Sequence, residues 1–547
     1  MDFFKFTVPA QSLVQNPQLE TNIAKVKIWV DQLPYADPIP TARILLNSIQ
    51  ILNRNLCPLK ARHELLECYR KAYWILHQSM RMLALTATTT TYGKKQVNTD
   101  KLLKAMTREF AFGYKTVLNE LLDSSSLRGK KTILHSALLQ STQFLVLELI
   151  TAYMDHAQYP SHVWRELHTI YRKAEENQLE ERKIVEIQNN QSRSFSLSQL
   201  YKQACLLALL DPYQHNKEEL WSILYYTDDL AEKMVISSFS SKSTVDYTFM
   251  VNLFGENPPT SVTTSFSNFD ANSYRLLDTR QVVNELKMKL HSLKMGTLPQ
   301  LPHFTGRLSN PDQIETLLQS MRNHWRTSPR RKEDRASSPN NVWLCIGLES
   351  ISNLLKKETT TEEDSTAADS LIDYALNLSN AIDPALTDQM LIRCSQSDSG
   401  EKGIGLTEIP LGNALMQVNQ VIAFQTGHLY TPESLSIGIV QWIRKRTATT
   451  LSAGIKTISS QLAYCTLALP EAENRASDPA IMLQSFSDSK PVRKLLVPPG
   501  KYFQNQLASL QFMGHSTKII LGLQVESNQW FECFEIIPAS KSLTKHF

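Results

Sequence analysis

Arginines and a short serine–glycine stretch are the residues of this chain whose types and spacing could hold a phosphate-rich ligand. A guanidinium group donates paired hydrogen bonds to phosphate, and hydroxyl or backbone N–H groups in a tight turn can donate more. The arginines precede a strand-like segment, the serines follow it, and a tryptophan lies further along the chain. The candidate nucleotide-binding residues are Arg326, Arg330, Arg331, Arg335, Ser395, Ser397, Gly400 and Trp442.

Each part of this set also has an ordinary structural explanation. Several arginines in a polar linker are usually a solvated segment. A stretch such as Ser395–Gly400 is common in hairpin turns that bind nothing. The strands around Trp442 could belong to any β-barrel. The set therefore needs supporting elements that bring its members together.

Composition excludes some classes of function. The chain of 547 residues has 57 Lys+Arg against 53 Asp+Glu, a net charge of +4, which argues against a dedicated nucleic-acid binder. Its seven cysteines form no CxxC pair, which predicts buried free thiols rather than disulfides or a zinc site. The N-terminal residues do not read as a signal peptide, and the apolar run Phe144–Ile150 is interrupted by a charge and too short to span a bilayer. We expect a cytoplasmic protein.

No enzyme signature is present in the sequence. It contains no GxxxxGK[ST], HExxH or GxSxG motif, and its 13 histidines are scattered. We therefore expect a binding protein without catalytic residues, metal or cofactor.

The first 235 residues predict an all-α module. Apolar residues recur at three- and four-residue spacing, and short polar joints between the segments favour antiparallel neighbours in a bundle or solenoid. The segment from Trp164 to Ala174 has the spacing of one tetratricopeptide helix, although no second copy follows at the expected period. Helices are predicted at 19–33, 37–52, 59–85, 99–123, 129–154, 160–178, 196–210 and 216–235.

The rest of the chain predicts mixed and then β structure. Residues 236–310 alternate strand-like and helical segments and indicate a small αβ adaptor or linker. A Thr- and Glu-rich segment, 356–387, is expected to be a mobile insertion. Strands are predicted near 342–348, 389–394, 415–425, 435–445, 450–458 and 461–468, followed by a polar linker at 471–490 and a C-terminal β extension at 471–547.

These features resemble the PilZ family, whose small β-barrels bind cyclic di-GMP. The family pattern Arg-x-x-x-Arg fits Arg326/Arg330 and Arg331/Arg335, ahead of a barrel strand. Its second motif, Asp/Asn-x-Ser-x-x-Gly, is matched at Ser397 and Gly400, with Ser395 in the place of the acidic or amide residue. The glycine-containing strands 436–444 and 451–458 match the family's paired strands. The resemblance covers 322–470.

The resemblance implies roles for these residues. The arginines would clamp phosphates and the guanine Hoogsteen edge; we favour Arg331 and Arg335, with Arg330 as a third contact. Ser395 cannot reproduce a carboxylate contact to guanine N–H groups, so binding should be weakened. Trp442 would plug the barrel end. The helical part resembles a long multidomain γ-proteobacterial subgroup, some of whose members are linked to type IV pili.

The sequence thus predicts a multidomain α+β protein. It consists of an N-terminal all-α bundle or solenoid (1–235), a small αβ adaptor (236–310), a PilZ-like six-stranded antiparallel β-barrel (322–470) and a small C-terminal β domain (471–547). The predicted function is a cyclic di-GMP receptor that changes its binding to a protein partner through the helical module. One alternative is a scaffold whose barrel no longer binds nucleotide, and another is a helical-repeat chaperone.

Overall fold

The computed structural model describes most of the chain from residue 4 to residue 539. The positions within this range that it does not describe are 15, 87–92, 125, 189–190, 239–245, 263–269, 271, 298–310, 327–339, 357–390, 401, 412–415, 428–434, 470–476, 488–489 and 513–514. The Thr- and Glu-rich insertion predicted at 356–387 lies almost entirely outside the described residues.

The N-terminal part forms antiparallel helices, as its apolar spacing predicts. Leu65, Tyr69, Tyr73 and Leu76 follow that spacing on one helix, and all are buried in the module's core. The helices are α1 (Ile23–Asp31), α2 (Pro38–Asn53), α3 (Leu59–Thr86), α4 (Gly93–Leu122), α5 (Lys131–Met154), α6 (His162–Glu176), α7 (Leu197–Leu209) and α8 (Lys217–Ala231).

Helix α5 is the central helix of this module. It has 24 residues and is long and apolar enough to cross a membrane by length and composition, which corrects the expectation that this stretch is too short. However, 78% of its most apolar window is buried inside the protein. A helix that is apolar on all sides is typical of a core position, and here α4, α6 and α7 contact it.

One feature of this part departs from the predicted all-α pattern. Strands β1 (Ile184–Gln188) and β2 (Gln191–Phe195) form an antiparallel hairpin between α6 and α7. Helical periodicity in the flanking segments gave no signal for so short a hairpin, because two five-residue strands carry little periodic information.

The adaptor has the predicted αβ composition. Its four strands pair in the order β3-β6-β4-β5. Its core is continuous with that of the helical module, and Trp325 donates from Nε1 to the carbonyl of Leu206 at 2.9 Å. The elements are β3 (Val235–Ser238), β4 (Thr248–Asn252), β5 (Thr260–Ser261), β6 (Tyr274–Asp278), α9 (Arg280–Lys294) and α10 (Pro311–Arg326).

The predicted six-stranded antiparallel barrel is present and closed. Its strands pair in the order β10-β11-β12-β9-β8-β7, and β7 returns to β10. Alternate residues such as Leu344, Leu406 and Ile455 fill its interior. The elements are β7 (Asn341–Ile346), α11 (Leu348–Leu355), β8 (Ile392–Gly400), β9 (Gly403–Pro410), β10 (Val421–Thr426), β11 (Ser436–Lys445) and β12 (Thr450–Ser459).

The C-terminal region is a small β domain, as predicted, and its strands close into a second barrel. The strand predicted at 461–468 as part of the first barrel belongs to the second, and the predicted linker 471–490 contains a strand. Its order is β13-β14-β15-β18-β17-β16, closed by β13 and β16. The strands are β13 (Gln461–Ala468), β14 (Asp478–Ser487), β15 (Lys490–Val497), β16 (Leu507–Phe512), β17 (His515–Ser527) and β18 (Glu532–Pro538).

A separate apolar cluster joins the two barrels. Helix α11 contacts β7 and β10 of the first barrel and β13 and β14 of the second. Its buried residues Ile351 and Leu354 pack there with Ile437 from one barrel and Leu496 from the other. The strands that carry Ile437 and Leu496 are therefore apolar on their outer as well as their inner face, and packing of the outer faces holds the two barrels together.

Candidate functional site

The structure describes one of the four candidate arginines. Arg326 is the last residue of α10, and its Nη2 lies 3.5 Å from Asp246 Oδ2 in an exposed ion pair. Its carbonyl accepts a hydrogen bond from the backbone N–H of Tyr247 at 2.8 Å. Its described contacts are thus with the adaptor. Arg330, Arg331 and Arg335 lie outside the described residues.

The segment that carries these arginines rejoins the described chain beside the serine motif. The carbonyl of Asn340 accepts from the backbone N–H of Gln396 at 2.8 Å, and Asn341 pairs with Ser395 between β7 and β8. Arg335 lies five residues before Asn340, a chain length of at most about 17 Å. The described chain thus resumes beside Ser395 five residues after Arg335 and nine after Arg331.

The serine motif lies on a strand rather than in a turn. Ser395 and Ser397 are part of β8, and the hairpin turn follows Gly400, which pairs with Gly403. The register shifts between Gln396 and Asp398, which marks a β-bulge. The prediction that these serines form a turn is therefore wrong. A bulge allows polar residues to interrupt the alternation of a strand without ending the strand.

A row of paired positions crosses four strands on the outer face of the first barrel, and we call it the glycine row. It consists of Trp442 on β11, Gly454 on β12, Gly405 on β9 and Asp398 on β8, each paired with the next. Directly paired residues project from the same face of a sheet. Neighbours of these residues, such as Ile404 and Ile443, fill the barrel interior, which places the row outside.

The two glycines give this face a floor without side chains. A side-chain carbon built on Gly454 would lie 2.0 Å from Nε1 of Trp442, and one built on Gly405 would lie 2.5 Å from Oγ of Ser397 and 2.8 Å from Oδ1 of Asp398. Trp442 therefore leans over the floor from one end, and Ser397 and Asp398 lean over it from the other. Glycine within a strand often marks such a close approach.

Hydroxyl groups continue along the same face next to the glycine row. Ser395 pairs with Thr407, and the Oγ1 of Thr407 accepts from Ser452 Oγ at 3.4 Å. Arg446 in turn donates from Nε to Ser452 Oγ at 3.1 Å. The face therefore offers hydroxyls and a cation beside a flat floor, which are groups that can bind phosphate and sugar oxygens.

A carboxylate that sequence reasoning missed lies beside Ser395. Ser395 donates from Oγ to Oε2 of Glu408 at 2.8 Å, and Glu408 is exposed. Glu408 has a φ of 58°, in the left-handed region that non-glycine residues rarely adopt. Such strain is often found at functional positions. The family motif gives no signal for this residue, because it lies on the neighbouring strand.

The resemblance implied that Trp442 plugs the barrel end, but the structure places it elsewhere. Its side chain is half-buried on the outer face and packs against the core of the helical module. The bulge between Val440 and Trp442 shifts the alternation of β11 at this point. Tryptophan is therefore directed outward, and Val440 and Ile443 occupy the interior.

Strand β11 connects this face to the helical module by polar contacts as well. The backbone N–H of Lys445 donates to the carbonyl of His156 at 2.7 Å. The guanidinium carbon of Arg444 lies 4.2 Å from the centre of the Tyr213 ring. Burial raises the pKa of Tyr213 to about 12, so this ring remains neutral beneath the cation.

The described residues contain no group of three or more His, Cys, Asp or Glu side chains that could hold a metal ion. All seven cysteines are free, and six of them are buried. In the first barrel, burial raises the pKa of the Cys345 and Cys394 thiols to about 12, which keeps them protonated and unreactive.

The described chain thus combines a helical module, an αβ adaptor and a closed six-stranded antiparallel barrel that carries two paired glycines on its outer face. Residues 24–242 match the family described as the N-terminal domain of the cyclic-di-GMP receptor FimW. The chain is also 21% identical over 329 residues to the cyclic-di-GMP receptor FimW of Pseudomonas aeruginosa, a match that covers 60% of this chain and 52% of that protein. The resemblance inferred from the sequence is thereby confirmed, although the chain spans only about half the length of this curated relative.

Proposed function

We propose that this chain is a cytoplasmic cyclic di-GMP receptor whose barrel binds the nucleotide and whose helical module changes its contacts with a protein partner. The observation that carries the proposal is the similarity to a cyclic-di-GMP receptor over 329 residues. That relative is described as a receptor, and our proposal likewise assigns no chemistry to the ligand. By the family resemblance, the partner belongs to the machinery of type IV pili or surface attachment.

The outer face of the first barrel is the proposed nucleotide site. Because Trp442 and Ser397 lie directly over the two glycines, a flat base would enter by displacing these side chains or stacking on them, and neighbouring hydroxyls can donate to phosphate oxygens. Arg331 and Arg335, with Arg330, would close over the ligand from the segment that ends at Asn340. Each guanidinium can form paired hydrogen bonds with phosphate or with guanine O6 and N7.

Glu408 is proposed to supply the carboxylate that Ser395 lacks. The family motif has an acidic or amide residue at the position of Ser395. Here the Glu408 carboxylate lies 2.8 Å from that serine's Oγ, so a carboxylate is present at the same place although it comes from β9. A carboxylate there could accept from the guanine N1–H and N2–H groups.

Ligand binding would reach the helical module through β11. Trp442 lies on Gly454 and also packs on the helical core, so a base that enters the floor must move the indole or stack on it. Two residues after Trp442, Arg444 stacks on Tyr213, and the backbone of Lys445 is hydrogen-bonded to His156. The arginine segment begins at Arg326 on the adaptor. If the ligand orders this segment, the adaptor would be drawn to the barrel, which would also transmit ligand binding to the helical module.

Isothermal titration of the full chain with cyclic di-GMP tests the proposal. We expect a micromolar or weaker dissociation constant, equivalent to about −8 kcal/mol or less favourable. Glu408→Gln should weaken binding by about tenfold, since it removes a charged acceptor. Ser395→Asp in the Glu408→Gln background should restore most of the loss.

A matched control is Glu535→Gln on β18 of the second barrel, which should leave the titration unchanged. Absence of heat and of any thermal shift at millimolar ligand would reject the receptor. The departure at Ser395 would then favour the alternative, a non-enzymatic scaffold with a barrel that has lost its ligand.

A further inference from the structure

A pocket unrelated to the barrel lies within the helical module, between α3, α5, α7 and α8. Its volume is about 310 Å³, at the lower end of the range for small-molecule sites. Half-buried aromatic rings of Trp74, Trp221 and Tyr225 form its walls, and one face of α5 forms its floor. This face consists of Gln143, Val146, Leu147 and Ile150.

Two polar atoms at this pocket lack partners within the described part of the chain. Gln143 is only 5% exposed, and its Oε1 accepts no hydrogen bond there. The indole Nε1–H of Trp74 is also buried and donates to no described group. Buried polar atoms without partners lower the stability of a fold, so each one requires an explanation. A ligand that offers one donor and one acceptor would satisfy both.

A cation is held at the pocket wall by aromatic rings. The guanidinium carbon of Arg81 lies 3.9 Å from the centre of the Trp221 ring and 5.0 Å from that of Tyr225. Burial lowers the pKa of Arg81, which means that its charge is partly withdrawn from water. His77 at the same pocket is neutral at pH 7, because burial lowers its pKa to about 4.

Asp228 is the other charged residue among those that line the pocket. Gln199 Nε2 lies 3.4 Å from its Oδ1 and 3.3 Å from its backbone carbonyl. The amide therefore contributes to holding the aspartate on the α7 side. Arg81 remains stacked on the aromatic wall, where a negatively charged group on a ligand would be attracted to it.

We propose that this pocket binds a flat aromatic small molecule that carries an N–H donor and an anionic group. The rings would pack among Trp74, Trp221 and Leu147, the N–H would donate to Gln143, and the anion would pair with Arg81. The pocket lies within residues 24–242, so the ligand would be a second input to the helical module. The proposal does not depend on nucleotide binding by the barrel.

Two fluorescent probes test the site on the full chain. 8-Anilinonaphthalene-1-sulfonate has two ring systems, one N–H and one anion, and N-phenyl-1-naphthylamine is its neutral counterpart. We expect the sulfonate to bind at one site per chain with quenching of tryptophan emission. Leu147→Trp, which fills the pocket from α5, should abolish this binding. Ile133→Trp, at another partly buried position of the same helix, should leave it intact.

Two further variants separate the polar contacts. Arg81→Gln should weaken the sulfonate by about tenfold and the neutral probe by less than about twofold, since only the former pairs with the cation. Gln143→Met should weaken both probes and raise the melting temperature, because it removes an unpartnered acceptor. The proposal is overturned if Leu147→Trp binds the sulfonate like the wild type, or if Arg81→Gln affects both probes equally. Cyclic di-GMP titrations of the same variants should remain unchanged.

Discussion

The two barrels of this chain have one topology and two different surfaces. In each, the first strand pairs with the second and fourth, the third with the second and sixth, and the fifth with the fourth and sixth. Only Ser460 separates them. The two barrels therefore share a strand order but differ in their side chains. Differences between their surfaces can be attributed to those side chains.

The contrast is sharpest on the face that carries the glycine row. Strands β8, β9 and β12 of the first barrel present Asp398, Gly405 and Gly454 there. The corresponding strands β14, β15 and β18 of the second present Ile481, Leu496 and Cys533, which are paired in a similar row. Those three residues are buried in the cluster between the barrels. The second barrel therefore uses this face for apolar packing in the cluster between the barrels, whereas the first covers its two glycines with the side chains of Trp442, Ser397 and Asp398.

The opposite pattern holds for another face. In the first barrel, Val421 and Ile437 on β10 and β11 are covered by α11 and the second barrel. In the second barrel, Leu507, Leu523 and Ile537 on β16, β17 and β18 are between 39% and 56% exposed. Strand order thus fixes the shape of a barrel, whereas the side chains of each face decide what it contacts.

The largest effect is expected from breaking the packing face of the second barrel. Leu496→Ala removes a fully buried side chain from the cluster between the barrels, and a substitution of this kind costs about 2–5 kcal/mol. Chemical denaturation of the full chain measures this loss. Leu523→Ala, on the exposed face of the same barrel, should change stability by less than about 0.5 kcal/mol. Equal losses would show that the two faces do not differ as described.

The next effect comes from giving the first barrel the side chain of the second. Gly405→Leu should reduce cyclic di-GMP affinity by about 100-fold, or about 2.7 kcal/mol, because the new side chain would occupy the floor beneath Ser397. Ser516→Leu adds a similar side chain to an exposed position of the second barrel and serves as the control. Titration calorimetry with circular dichroism measures both. If the folded Gly405→Leu variant binds cyclic di-GMP with unchanged affinity, the ligand does not bind on this face.

A smaller effect is expected from the arginines that precede only the first barrel. Arg331→Ala or Arg335→Ala should each weaken cyclic di-GMP binding by about 1–3 kcal/mol, since phosphate or guanine acceptors lose their donors. Arg326→Ala should matter less, because its guanidinium is paired with Asp246 on the adaptor. If Arg326→Ala weakens cyclic di-GMP binding and Arg335→Ala does not, the binding motif is Arg326/Arg330 rather than Arg331/Arg335.

The smallest effect concerns the connection between the first two strands of each barrel. Residues 469–477 link β13 to β14, whereas the first barrel has α11 and a much longer segment before β8. Replacement of 357–368 by a short Gly/Ser linker should leave both folding and nucleotide binding intact, since closure entropy changes slowly with loop length. Unfolding of 322–470 after this replacement would make the segment part of the core.

The sequence predicted those features that depend on local pattern. Apolar spacing located the helices, because each buries one face of a 3.6-residue period, and alternation located most of the strands. Type and spacing also selected Arg326, Ser395, Ser397 and Trp442 as candidate binding residues, and their role in binding stays a prediction. In contrast, the sequence assigned β13 to the wrong barrel, since a strand carries no record of the partner with which it pairs.

Tertiary structure decided how these elements become surfaces. Glu408 reaches Ser395 only because β8 and β9 are paired, and the glycine row exists only because four strands place separated residues side by side. Likewise, Trp442 faces the helical module because a bulge turns β11 at that point. Sequence by itself determined which elements form, since that depends on neighbours along the chain. Pairing, register and the covering of one face by another element depend on residues distant in sequence, and only the folded chain brings those together.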